Sequence, residues 1–208
     1  MPKNIDEIYQ KKEHRQHIYD LPDTYIGSAE PTLLKDCWVI EDEAVSQQDI
    51  NFVPGLYKIF DEVLTNASDH KVRTTIQSKT DNTIKQVKNI KVHITDKMIS
   101  VENDGNGIDI IMHTKENVYV PEMIFGQLLT STNYSKEDKT WGGKNGYGAK
   151  LANIFSNEFT VETVDNTRNK IYTQTCKNNM KEREDPVIKN YSKVPYTKIT
   201  FKPDFKRF

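Results

Sequence analysis

Ile90-Lys91-Val92-His93-Ile94-Thr95-Asp96-Lys97-Met98-Ile99-Ser100-Val101 alternates apolar and polar side chains on both sides of an Asp96-Lys97 turn. A period of two sends successive side chains to opposite faces, so the stretch predicts a half-buried antiparallel hairpin. It runs into a glycine turn, Asp104-Gly105-Asn106-Gly107. Downstream, Phe159 to Val164 and Lys170 to Thr175 flank an Asp165-Asn166 turn, and Lys198 to Phe201 supplies one more strand. Upstream, Leu56, Ile59, Phe60, Val63, Leu64 and Ala67 recur at helical spacing between Phe52 and His70, with Pro54 in the first turn where its missing N–H costs nothing. A second helix is expected over Ala149 to Phe155. Helices followed by successive hairpins imply an α+β layer sandwich with a mostly antiparallel sheet. The polar first twenty residues read as an arm or short helix rather than core, and Leu21-Pro22-Asp23-Thr24 turns the chain. Trp38, Tyr57 and Phe125 read as core or packing residues.

Composition narrows the function classes. With 29 Lys+Arg against 30 Asp+Glu in 208 residues, the formal charge is -1, which excludes a polycation. Binding to a phosphate backbone scales with the cations that neutralise it, so any nucleic-acid role of this segment is indirect. At 36% hydrophobic and 28% charged, with mean hydropathy -0.73, the expectation is a soluble globular chain. No apolar run approaches the roughly 18 residues of a membrane span, and MPKNIDEIYQ carries no apolar signal region. No membrane role and no export are therefore expected. Cys37 and Cys176 stand far apart with no second Cys or paired His nearby, which argues against zinc or a disulfide and fits the reduced cytosol or nucleus.

Three places carry candidate chemistry. Glu62, Asn66 and Asp69 line one face of the first long helix, where Glu62 can act as general base and the Asn66 amide oxygen can ligate Mg²⁺. A solvated polar face is the plain alternative. Asp104 sits at a strand end and can accept a hydrogen bond from an exocyclic amine, or simply serve the turn. A calcium loop is excluded there because its twelfth position would be His113 rather than a bidentate Glu. Gly142-Gly143-Lys144-Asn145-Gly146-Tyr147-Gly148 runs into the helix at Ala149-Lys150, and glycines let phosphate oxygens approach free N–H groups. A Walker loop fails, since Gly148 is followed by Ala149 before Lys150, and a dinucleotide fingerprint fails for want of a third Gly at Leu151. A flexible structural loop remains the alternative. The five histidines, His14, His17, His70, His93 and His113, show no ligand spacing and read as structural or surface residues.

In order, Glu62-x-x-x-Asn66, Asp104-Gly105-x-Gly107-Ile108 and Gly143-x-Asn145-Gly146-x-Gly148-Ala149-Lys150 resemble the Bergerat ATP fold of the GHKL superfamily. Pro22-Asp23-Thr24-Tyr25-Ile26-Gly27-Ser28, Phe52 to Glu62, Tyr119 to Leu129 and Gly142 to Lys150 are similar, within it, to the ATPase domain of eukaryotic-type DNA topoisomerase II. The resemblance implies a two-layer sandwich with helices on one face, an N-terminal arm over 1–28 and an ATP-binding domain over 29–208. It implies ATP and Mg²⁺ as ligands, with Glu62 as the base that activates water and Asn66 holding the metal. Asp104 takes the adenine-amine position. Ser131, Thr132 and Asn133 lie near ribose and phosphates, Gly143, Lys144, Asn145, Gly146, Tyr147, Gly148, Ala149 and Lys150 wrap the phosphates, and Thr200 helps fix adenine.

The same resemblance implies a longer enzyme, in the nucleus, whose dimer gate closes on ATP to pass one DNA duplex through another. Its transducer and DNA-cleavage domains would follow beyond Phe208, and the arm around Tyr9 would reach a partner subunit of a homodimer. Leu21 stands where the family has Arg, and Lys144 replaces an Arg, keeping the charge but losing the planar fork. Weak hydrolysis is expected of the segment by itself. The alternative from another class is a non-catalytic nucleotide-sensing or protein-binding module that keeps the fold.

Overall fold

The computed structural model describes residues 12–128 and 147–208. Helix α1 (His14–Asp20) and the single turn α2 (Pro22–Tyr25) lead to a ribbon of β1 (Thr32–Glu41) and β2 (Ala44–Phe52). The long helix α3 (Pro54–Gln77) follows, then β3 (Ile90–Ile94) and β4 (Ile99–Asp104). A short pair, β5 (Met112–His113) and β6 (Val118–Tyr119), precedes α4 (Val120–Gly126). After α5 (Gly148–Ile154) come β7 (Ser156–Asp165), β8 (Lys170–Lys177), β9 (Glu182–Arg183), β10 (Val187–Asn190) and β11 (Tyr196–Pro203).

The main sheet has the order β10-β8-β7-β11-β4-β3, with β9 added to β8, and every pairing in it is antiparallel. Residues directly opposite one another share a face. Ile99, Val101 and Asn103 of β4 stand opposite Phe201, Ile199 and Thr197 of β11, which in turn face Phe159, Val161 and Thr163 of β7. This face is the core. It packs under Ile59, Val63 and Ala67 of α3 and Leu151, Ala152 and Ile154 of α5. The intervening positions, Glu102, Lys198, Thr200, Glu158, Thr160 and Glu162, form the opposite face, where charged and hydroxyl side chains meet water. A clean apolar-in, polar-out alternation is what an antiparallel sheet covered on one side requires. The α+β sandwich expected from the sequence is thereby the architecture found.

Helix α3 begins with Pro54 at its first position and buries Gly55, Ile59, Val63 and Ala67, a stripe every four residues that lies along one side. Tyr57, two residues from Ile59, points about 200° away around the helix and is 60% exposed. Trp38 is 72% exposed because the β1–β2 ribbon leaves the body and most of its side chains have no layer to cover them. Neither residue is therefore the packing residue its size implies, whereas Phe125 is buried in the core. Nothing in the hydrophobic pattern of residues 32–52 signals this ribbon. Its tight turn uses Asp42 and Glu43, both at positive φ, matching the right-handed twist of a two-residue hairpin.

The amino-terminal stretch is more than an arm. Helix α1 inserts Ile18, fully buried, into the core, and Tyr19 donates its hydroxyl to Asp204 Oδ2 at 3.0 Å. None of the described helices is long and apolar enough to cross a membrane.

Candidate functional site

Glu62 and Asn66 stand one turn apart on α3, and the start of α5 closes over them. A Cβ built on Gly148 would lie 2.5 Å from Glu62 Oε2 and 3.5 Å from Asn66 Nδ2. Backbone and carboxylate are in contact there, and a side chain at 148 would have to push the Glu62 carboxylate aside. Glu62 is only 24% exposed and pairs with Lys58, whose Nζ lies 2.7 Å from Oε1 and 3.1 Å from Asp61 Oδ2. The hydrogen bond to Glu62 is the main cause that holds the Lys58 ammonium above its ordinary pKa.

Behind Gly148, Ala149 and Lys150 turn inward, and Lys150 is 4% exposed. Burial pushes its ammonium down to about 8, since the charged form loses water it would hold at the surface. Tyr147, which caps α5, shares a hydrogen bond of 3.2 Å with His14 Nε2 and packs edge-on against Tyr25.

The core face of the sheet turns polar at one end. Asn103, Thr197 and Thr163 lie side by side across β4, β11 and β7, all buried, with 2.8 Å between the two threonine hydroxyl oxygens. The glycine turn after β4 crosses this end. Ile108 donates its N–H to Thr163 Oγ1 at 3.0 Å, and a side chain on Gly107 would overlap the Val164 carbonyl. Helix α3 reaches the same end: four residues past Asn66, His70 Nε2 meets the Asn106 carbonyl.

Two expected residues are not part of this convergence. Asp104 follows Asn103 on β4, so its carboxylate faces the other way and accepts three N–H groups: Lys88 N at 2.7 Å, Asn89 N at 2.9 Å and Asn89 Nδ2 at 2.8 Å. Burial raises its pKa, but the Asn89 and Lys88 donors outweigh that and hold the carboxyl below its usual range. Thr200 stands opposite Ser100 and Thr160, also on the far face. The expectation that Asp104 and Thr200 approach the same ligand as Glu62 is corrected by strand alternation, because an odd offset sends a side chain through to the opposite surface. Asn103, Thr163 and Thr197, which the sequence reading passed over, occupy the inner positions. The signal was available: counting by two from Val101 and from Ile199 reaches Asn103 and Thr197.

Ser131, Thr132, Asn133, Gly143, Lys144, Asn145 and Gly146 lie outside the described residues, as does Tyr9. Among the described residues no cluster of three or more His, Cys, Asp or Glu is arranged to hold a metal. Asn66 offers a neutral amide oxygen, the kind of ligand that Mg²⁺ accepts beside water and anion oxygens.

Comparison with known proteins gives this geometry a context. The family model described as histidine kinase-, DNA gyrase B-, and HSP90-like ATPase matches residues 53–205. DNA topoisomerase 2 of Acanthamoeba polyphaga mimivirus is 52% identical over 218 aligned residues, covering 100% of this chain and 16% of that protein. DNA topoisomerase 2 of Saccharomyces cerevisiae is 47% identical, covering 100% of this chain and 14% of its own length. Among solved structures, the ATPase region of Saccharomyces cerevisiae topoisomerase II superposes with a TM-score of 0.86 at 46% identity, over 97% of this chain and 52% of that one. The ATPase and transducer domains of DNA topoisomerase II from Balamuthia mandrillaris match with a TM-score of 0.86 at 43% identity, over 99% of this chain and 52% of that one. The chain thus spans about half of each solved fragment and about a sixth of the full-length relatives. Throughout its length it is similar to the ATPase region of type II topoisomerases, and it belongs to the histidine kinase-, DNA gyrase B- and HSP90-like ATPase family.

Proposed function

We propose that this chain binds ATP with Mg²⁺ between α3 and the polar end of the sheet, and that it serves as the ATPase module of a longer type II DNA topoisomerase. The observation that carries the reading is the convergence of Glu62, Asn66 and the start of α5 at Gly148. A carboxylate beside a position where the backbone alone approaches is suited to a general base working on a water next to a phosphoryl group. Asn66 supplies a neutral oxygen ligand to Mg²⁺, which neutralises the triphosphate and polarises its terminal phosphorus when bound. Lys150, with Gly143 to Gly148 and Ser131, Thr132 and Asn133 by resemblance, attends the phosphates.

Nucleobase recognition moves from Asp104 and Thr200 to Asn103, Thr197 and Thr163. An asparagine carbonyl accepts from the exocyclic amine of adenine as well as a carboxylate does, and a hydroxyl reaches ring nitrogens directly or through water. Asp104 keeps a structural task, tying the loop at Lys88 and Asn89 to β4.

DNA is reached only through the longer enzyme, consistent with a net charge of -1 on this segment. Homodimerisation through the amino-terminal gate and a nuclear location complete the proposal, both resting on the likeness to topoisomerase 2 proteins. Calorimetry with a non-hydrolysable ATP analogue, with and without Mg²⁺, tests binding, and phosphate release tests turnover. Absence of binding in the presence of Mg²⁺ overturns the reading.

A further inference from the structure

The carboxy-terminal half of α3 carries a half-buried polar cluster that the ATPase reading does not use. His70 is bonded at both ring nitrogens: Arg73 Nη2 approaches Nδ1 at 2.6 Å, and Nε2 lies 2.5 Å from the carbonyl oxygen of Asn106. A guanidinium only donates, so Nδ1 must present its lone pair and the ring proton sits on Nε2, aimed at the carbonyl. Burial, reinforced by the Arg73 charge, lowers the His70 pKa to about 4, so the ring stays neutral and this tautomer persists at physiological pH. Asp69 partly restores the Arg73 guanidinium against the pKa drop that burial causes.

Asn106 is held from its other side as well. Its N–H donates to Lys85 O at 2.9 Å, and its Oδ1 accepts from Lys85 N at 2.9 Å. One turn further along α3, Thr74 Oγ1 accepts from Val87 N at 3.2 Å. The glycine turn after β4 is thus tied to α3 directly by His70, while Thr74 ties to α3 the segment at Val87 that packs against Gly105.

We propose that His70 and Arg73 are positioning residues for nucleobase selection: they fix the spacing between α3 and the Asp104–Gly107 turn, and with it the setting of Asn103 beneath the base. This rests on the ATP-site reading and adds to it a source of base specificity that touches no ligand. Neither residue needs to contact nucleotide. A turn released from α3 lets Asn103 lose its aim at an exocyclic amine, while contacts to the triphosphate, made near Glu62 and Gly148, persist.

The test measures dissociation constants of the whole chain for non-hydrolysable ATP and GTP analogues with Mg²⁺, together with thermal unfolding. In the unsubstituted chain the adenine analogue binds more tightly. His70→Ala is expected to weaken the adenine analogue about tenfold, the scale of one lost hydrogen bond, and to change the guanine analogue less than twofold, so that the ratio collapses. His70→Gln, which keeps a donor at the Nε2 position, restores most of the ratio, and Arg73→Lys gives an intermediate value. A lowered melting temperature with the ratio unchanged in His70→Ala overturns the inference and leaves the ATP reading standing. If His70→Ala does not fold, His70→Gln and Arg73→Ala decide by the same ratio. No binding of either analogue by the unsubstituted chain overturns both readings.

Discussion

The Cα of Gly148 faces the carboxylate of Glu62 so closely that a methyl group in its place would lie 2.5 Å from Oε2. The start of α5 and the middle of α3, 86 residues apart in the chain, therefore meet at this point. A carboxylate held by Lys58 on one side there touches bare backbone on the other.

Gly148→Ala separates catalysis from stability. The atom it would strike ends a flexible side chain, so the carboxylate shifts and the fold survives, with a stability change under about 1 kcal/mol. Displacing a catalytic group by roughly 1 Å costs on the order of 10²-fold in rate. Phosphate release compared with urea unfolding of the same variant checks this, and an unaltered rate removes Gly148 from the site.

Glu62→Gln keeps shape and hydrogen bonding but cannot take a proton. In a full-length enzyme carrying this segment, turnover should fall by about 10²–10⁴, while the dissociation constant for a non-hydrolysable ATP analogue stays within about threefold of its original value. Equal loss of binding and turnover would point to a role in holding the nucleotide instead.

Asn103→Ala and Asp104→Ala should part company, although the residues are adjacent. Truncating Asn103 is expected to weaken ATP about tenfold or more. Truncating Asp104 hands the exposed N–H groups of Lys88 and Asn89 to water and costs about 0.5–1.5 kcal/mol of stability, with affinity within about twofold. Titration calorimetry beside thermal denaturation reads both quantities, and the reverse pattern would restore Asp104 to the adenine position.

Lys150 predicts a proton-linked affinity. Its folded-state pKa of about 8 lies below the ordinary 10.5. The cost of burying the charge is therefore complete below pH 8 and disappears as pH rises from about 8 through 10.5, so the free chain gains stability across that window. A bound triphosphate favours the ammonium and lifts its pKa, so binding near pH 8 should take up about half a proton. Calorimetry in two buffers of different ionisation enthalpy measures the uptake. Lys150→Met should abolish it, and uptake that survives the substitution places the titrating group elsewhere.

How far the sequence speaks depends on the range of the interaction. Alternation in Ile90 to Val101 and four-residue spacing in Leu56 to Ala67 are local consequences of backbone geometry, and both elements form as read, α3 extending on to Gln77. The pairing of Glu62 with Asn66 on one helix face follows from the same arithmetic. The β1–β2 ribbon escaped the reading because most of its side chains are exposed and its alternation carries no inside or outside. Trp38 and Tyr57 misled because size predicts burial only where another layer arrives to cover the residue, and that depends on distant chain.

By itself the sequence determined the two-layer architecture, the helix that bears Glu62 and Asn66, and the glycines where backbone must come close. Alternation groups Asn103 with Val101 and Thr197 with Ile199, but only the tertiary structure decided that the helices cover that face rather than the one bearing Asp104 and Thr200. The physical reason is that every strand residue has a defined side, but which side is the inside is settled by the helices that pack there, and that choice is written in contacts between segments far apart in the chain.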